Sequence, residues 1–215
     1  MRITTRALGV CSTALLWCAL SAALVGCGSE ETPSPADAAV GPTASSSSFD
    51  KDNDGWKIVG DAKEAEAIFK STGGNPGGLI AGDDKVQGGI WYFKAPARYV
   101  GDKSSYVGRK LLFELTTTST ANPFDAADVI LIGAGKTIGY DASPDPSTTG
   151  WTKYSVPLAN GGWRAWDTQT KKWGAAVSEA DFSAVMAGLT ELRLRGEFNT
   201  GADTGSLDNV VFGAP

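Results

Sequence analysis

Beyond Phe49, apolar and polar residues alternate in short runs along the chain. Leu111, Phe113 and Leu115 oppose Leu112, Glu114 and Thr116, and Leu192 and Leu194 oppose Arg193 and Arg195. A period of two turns one face of an extended segment to a core and the other to solvent or ligand. Runs rich in β-branched and aromatic residues predict strands over 56–60, 79–81, 90–94, 110–118, 128–132, 137–140, 151–158, 191–198 and 206–212. Clusters of Gly, Asn, Asp and Pro punctuate them, as at 73–78 (GGNPGG) and 143–146 (SPDP). One helical pattern stands out: Phe182, Val185, Met186 and Leu189 fall at helical spacing behind Ser178, with Asp181 three residues beyond that cap. Many strands, one short helix and no regular αβ alternation predict an all-β fold, an antiparallel sandwich.

The first 48 residues read differently. Arg2 and Arg6 precede an almost uncharged apolar stretch from 7 to 25, the layout of a secretory signal over 1–26. The run is short for a comfortable membrane span. Residues 28–48 are small, Pro-rich and Ser-rich, with Val40 the one large aliphatic side chain, so 27–48 is expected to be a tether without a core of its own. Residues 49–215 then form the single globular domain.

Composition narrows the chemistry. The net charge is −5, and removing 1–26 takes two arginines and no acid, leaving −7. An acidic domain without a basic tract is a poor nucleic-acid binder. The chain has no histidine, and its three cysteines are Cys11, Cys18 and Cys27, so 49–215 carries none. A His-based triad, a His-ligated zinc and a domain disulfide are thereby excluded, leaving oxygen ligands for any metal. Glu114 and Glu197 form the one carboxylate pairing of glycosidase type that comes into view. With no nucleophile-elbow motif either, a non-enzymatic role is expected.

Two resemblances add to this reading. The ending Leu24-Val25-Gly26-Cys27 resembles the lipobox of bacterial lipoproteins. That resemblance implies cleavage before Cys27 and lipidation of its thiol. It also implies attachment in the cell envelope, at an outer membrane or cell surface. The domain itself shows Phe49-Asp50, 54–61 (DGWKIVGD), 88–96 (GGIWYFKAP), 98–104 (RYVGDKS), 128–131 (DVIL), 192–198 (LRLRGEF) and 205–210 (GSLDNV), in that order. Together these resemble the laminin B domain, also called laminin IV type A. The resemblance implies a jelly-roll sandwich of galactose-binding-like type, whose relatives often bind sugars and hold a structural calcium.

Candidate residues follow. Asp50, Asp52 and Asp208 are candidate calcium ligands: Asp50 to Asp54 resembles the start of an acidic calcium loop, and the family resemblance pairs an acid near the first strand with one near the last. Trp91, Tyr92 and Phe93 alternate, so one face is core and the other is an expected aromatic platform, with Trp91 the candidate contact. Arg193, Arg195 and Glu197 share a face, with Glu114 on a comparable one. They form either a ladder of ion pairs or a polar ligand groove. The expected function is a membrane-anchored binding module for an extracellular glycan or protein. The alternative is a structural envelope protein with a protein partner and no small ligand.

Overall fold

A computed structural model describes residues 41–84 and 88–215. The expected signal over 1–26, Cys27 and the tether up to residue 40 lie outside the described residues.

The chain forms two packed antiparallel sheets. One contains β1 (Ser45–Ser47), β3 (Ile68–Gly74), β4 (Gly77–Asp83), β6 (Lys110–Thr117), β9 (Thr152–Pro157) and β13 (Thr204–Ala214), in the order β3-β4-β13-β6-β9 with β1 also on β13. The other contains β2 (Lys57–Gly60), β5 (Trp91–Lys94), β7 (Val129–Gly133), β8 (Lys136–Tyr140), β10 (Arg164–Asp167), β11 (Lys172–Ala176) and β12 (Leu189–Arg195), in the order β11-β10-β8-β7-β12-β5-β2. The long β13 carries β4 along its first half, through Thr204–Leu207, and β1 along its second, through Val210–Phe212.

Alternation sets the core. Trp91, Phe93, Val129, Leu131, Leu192 and Leu194 point inward from the seven-stranded sheet, to meet Leu111, Phe113, Leu115, Leu207 and Phe212 from the other. Trp91 is fully buried, edge-on to Phe93 at 5.0 Å, and its ring sits where a Cβ on Gly82 would come within 2.8 Å. A large ring is thus seated against bare backbone, the interdigitation that dense packing requires. The helix α1 (Glu179–Ala187) begins where the cap predicts: Ser178 Oγ accepts the Asp181 N–H at 3.1 Å. Its buried Phe182, Val185 and Met186 pack it on the core.

The domain starts earlier than its sequence signals. Ser45–Ser47, expected in the tether, is a strand paired with Val210–Phe212. Three serines carry no hydrophobic signal; tertiary contacts hold them instead. The buried Ser47 hydroxyl accepts from Trp56 Nε1 at 2.9 Å and Arg98 Nη2 at 2.6 Å, and hydrogen-bonds Tyr99 Oη at 2.7 Å.

Candidate functional site

The outer face of the seven-stranded sheet bears a second apolar cluster, separate from the core: Ile90, Tyr92, Ala126, Ala127, Ile130 and Trp166, with Val59, Ile132 and Trp173 against it. Its presence follows from alternation plus one turn of chain. Tyr92 is out of phase with Trp91 and so faces outward, while the β10–β11 hairpin folds back over the sheet. Trp166 and Trp173 meet edge-on at 4.7 Å above Gly139, where a Cβ would lie 2.7 Å from Ala127 Cβ and 2.9 Å from the Trp173 ring. Only a glycine admits the indole pair this close. Besides the pairing of β10 with β8, two side-chain bonds hold the hairpin: Trp173 Nε1 donates to the Asp125 carboxylate at 3.0 Å, and Lys171 Nζ to the Gly88 carbonyl at 2.7 Å.

Between the hairpin and edge strand β2 a cleft of about 110 Å³ remains. Its floor is Tyr92 and Arg193, one wall is Val59 and Gly60, the other Trp166, Thr168 and Lys171, and Ile90 closes an end. Past Ile90 and Lys171 a further hollow of about 170 Å³ runs to Phe124, Asp125, Glu197 and Thr200. The Tyr92 ring is buried and its hydroxyl has no hydrogen-bond partner among the described residues. Burial holds the Tyr92 phenol far above the ordinary tyrosine range, so it stays protonated and able to donate. A buried unpaired hydroxyl costs about 1–3 kcal/mol, which a bound acceptor recovers.

Arg193 emerges beside it. Its guanidinium binds Glu191 at 2.5 Å, and Lys94 reaches the same carboxylate at 2.9 Å. Partial burial raises the Glu191 pKa, but its bonds to Lys94 and Arg193 outweigh this and hold it below the usual range.

The other expected ligand residues are elsewhere. Trp91 is core, on the opposite face from Tyr92, so the aromatic side chains of the outer face are Tyr92 and the hairpin tryptophans instead. Glu114 belongs to the other sheet, where it accepts from Asn75 Nδ2 at 2.6 Å and pairs with Lys153 at 3.2 Å. It therefore forms no carboxylate pair with Glu197. Arg195 is on the cleft face but is 2% exposed. Its guanidinium lies 4.4 Å from the rings of both Phe124 and Phe198, and it donates to the Phe124 and Glu197 carbonyls and to Asp128 at 3.2 Å. Such a buried, fully engaged arginine is a structural member, not a free donor.

Around it are buried acids. Burial pushes Asp128 up to about 7 despite Arg195. Burial, then Asp84 and Asp203, push Glu197 up to about 8, and burial pushes Asp203 up to about 6. These positions were invisible as a cluster in the sequence, because three loops bring them together.

At the far side of β13, Asp208 is fully buried. Its oxygens accept from the backbone N–H groups of Asn75 and Asn209 at 2.6 and 2.7 Å. Burial raises its pKa, and the charges of Glu114 and Asp50 raise it further. The Gly73–Gly78 turn presses on both: a Cβ on Gly77 would lie 2.6 Å from Asp50 Oδ1, and one on Gly74 2.7 Å from Asp208 Oδ2. Asp52 instead accepts the Asp54 N–H at 2.7 Å. Among the described residues no three acidic side chains are gathered as a metal-ligating group. Asp50 and Asp208 would offer a hard cation two carboxylates, Asp208 through oxygens that already accept the Asn75 and Asn209 N–H groups.

The topology defines a jelly-roll β-sandwich domain with a small cleft on the outer face of its seven-stranded sheet. The chain belongs to the Laminin B (Domain IV) family, whose pattern it matches over residues 92–214. Laminin subunit gamma-2 of Equus caballus and of Homo sapiens are each 28% identical over 168 residues, 77% of this chain. The chain spans 13% of those relatives' length. Among solved structures, CtCBM11 superposes with a TM-score of 0.51 at 15% identity, over 83% of this chain and 99% of that one. The L4b domain of human laminin alpha-2 gives 0.46 at 14%, over 58% and 70%.

Proposed function

We propose that this protein is a non-catalytic binding module that takes a glycan in the cleft between Tyr92, Arg193 and Trp166, and that Cys27 anchors it by lipid to the cell envelope. The observation that carries the reading is the buried Tyr92 hydroxyl, without a hydrogen-bond partner among the described residues, on the floor of a cleft with an indole in its wall. A sugar presents an apolar face, which an aromatic wall covers, and a rim of hydroxyls, which a phenol and a guanidinium engage. The sandwich of a carbohydrate-binding module, shared in outline, supports this use of the open sheet. Calcium enters the proposal as a structural ion held through Asp50 and Asp208, a bridge between the two ends of the folded chain.

A glycan array probed with the purified protein tests the reading, repeated with Tyr92→Phe and Trp166→Ala. Binding that falls with both changes supports it. Absence of any glycan binding, with one envelope protein co-purifying, favours the structural role instead.

A further inference from the structure

The cleft face carries a line of positive charge that the acidic composition of the chain hides. Lys57 is paired with Lys94 across β2 and β5, and Lys94 with Arg193 across β5 and β12. Directly opposed residues share a face, and neighbouring strands lie about 4.8 Å apart, so these three cations form a row across the sheet. The same row continues through Ile130 and Gly139 to Arg164, whose guanidinium stands 5.4 Å from the Trp173 ring centroid. Lys171 leans in from the hairpin.

Against these five cations stand two paired carboxylates, Glu66 on Lys57 and Glu191 shared by Lys94 and Arg193. The polar partners of Arg164 and Lys171 among the described residues are the carbonyls of Gly174 and Gly88. Further acids nearby include Asp125, engaged by the Trp173 indole, Asp167, engaged by Gln169 and Thr170 in its own turn, and Glu197 in the adjoining hollow, which burial draws toward its neutral form. The walls and floor of the cleft contain Lys171 and Arg193 and no carboxylate.

We infer that the cleft selects an acidic polysaccharide, a glycan bearing repeated carboxylates of the uronic-acid type. This rests on the glycan reading above and deepens it. Planar carboxylates suit the arginine fork, and a line of cations suits a polymer with charge on successive residues better than one isolated charge. The chain's net negative charge repels such a polymer at long range, so capture depends on a local row of cations such as this one.

The test uses oligomers of galacturonate, glucuronate and mannuronate, each with its methyl ester, titrated against the whole protein by calorimetry. The ester keeps the shape and removes the charge. The expected result is that at least one acid oligomer binds roughly tenfold or more tightly than its ester, with affinity falling as salt rises. Arg193→Gln should abolish that preference. Glu191→Gln, which removes the cleft's own counter-charge, should strengthen acid binding, an effect a merely structural role would not produce. Melting curves on both variants confirm that they fold. Acid and ester binding alike, or neutral glycans alone binding, would overturn the selectivity while leaving the glycan reading intact. If no glycan of either kind binds, both fall.

Discussion

Arg193 and Arg195 project from the same face of one strand, two residues apart, yet one lines an open cleft and the other is sealed between two phenyl rings. Substituting each therefore reads a different property. Arg195→Ala should destabilise by about 3–5 kcal/mol, because it leaves Asp128 buried without its cation. Arg193→Ala should cost about 0–1 kcal/mol, as partly exposed ion pairs do, and should act on binding instead. Urea unfolding of the two variants checks this; equal losses would contradict the assignment.

The acids around Arg195 make stability depend on pH. Glu197, Asp128 and Asp203 have folded pKa values of about 8, 7 and 6, above the ordinary value near 4. The native state then holds protons that the unfolded chain has released, so this contribution is full below about pH 4 and is lost as pH rises through about 6 to 8. The melting temperature should fall between pH 5 and 9. Glu197→Gln should flatten the slope and melt above the unsubstituted protein at pH 9. A melting temperature that rises over that range would refute the burial of these charges.

Calcium should show itself through Asp208. A ligand at a hundredfold excess over its Kd stabilises the native state by roughly 2.7 kcal/mol. Thermal melts in EDTA and in millimolar calcium should therefore differ, and Asp208→Asn should erase the difference. Asp52→Asn should not, since Asp52 is committed to its own turn. Superimposable melts of the unsubstituted protein would remove the ion.

Gly139→Ala asks whether the hairpin must sit so close. Its methyl would meet Ala127 and the Trp173 ring at under 3 Å, and overpacking of this kind costs about 1–3 kcal/mol. The hairpin should lift, raising tryptophan exposure to a fluorescence quencher and altering glycan binding together. An unchanged quenching constant would show that the sheet yields instead.

Cys27→Ala tests the anchor. The protein should lose its lipid by mass spectrometry and leave the membrane fraction. Lipid retained on the substituted protein would end that part of the proposal.

Much of the sandwich was legible in the sequence, because a half-buried strand writes its period into its residues. All nine expected strands occur, and the helix begins at its serine cap. Four strands were not foreseen, and each lacks that writing: Ser45–Ser47 has no apolar residue, Ile68–Gly74 is largely exposed, and Arg164–Asp167 with Lys172–Ala176 is a hairpin whose tryptophans pack outside the core. Period two also leaves the sense of the faces open. It separates Trp91 from Tyr92 without saying which looks inward, and it groups Arg193 with Arg195 without revealing that Phe124, distant in the chain, covers only the second. Glu114 was misplaced for a related reason: alternation assigns a face of a strand, not the sheet to which the strand belongs. Of the candidate site, Arg193 was identified in advance; Tyr92 and Trp166 needed the fold.

The pairing of Ser45–Ser47 with the last strand fixes which layer takes the leading end of the described domain. Its leading end enters through the six-stranded layer, whereas the cleft opens on the outside of the seven-stranded one. Packed sheets stand about 10 Å apart, so the whole thickness of the sandwich separates the layer that takes the leading end from the face that carries the cleft. A pull on that leading end would therefore meet the Tyr106 bond to the Thr43 carbonyl and the three β1–β13 residue pairs first, all of them away from the row of cations.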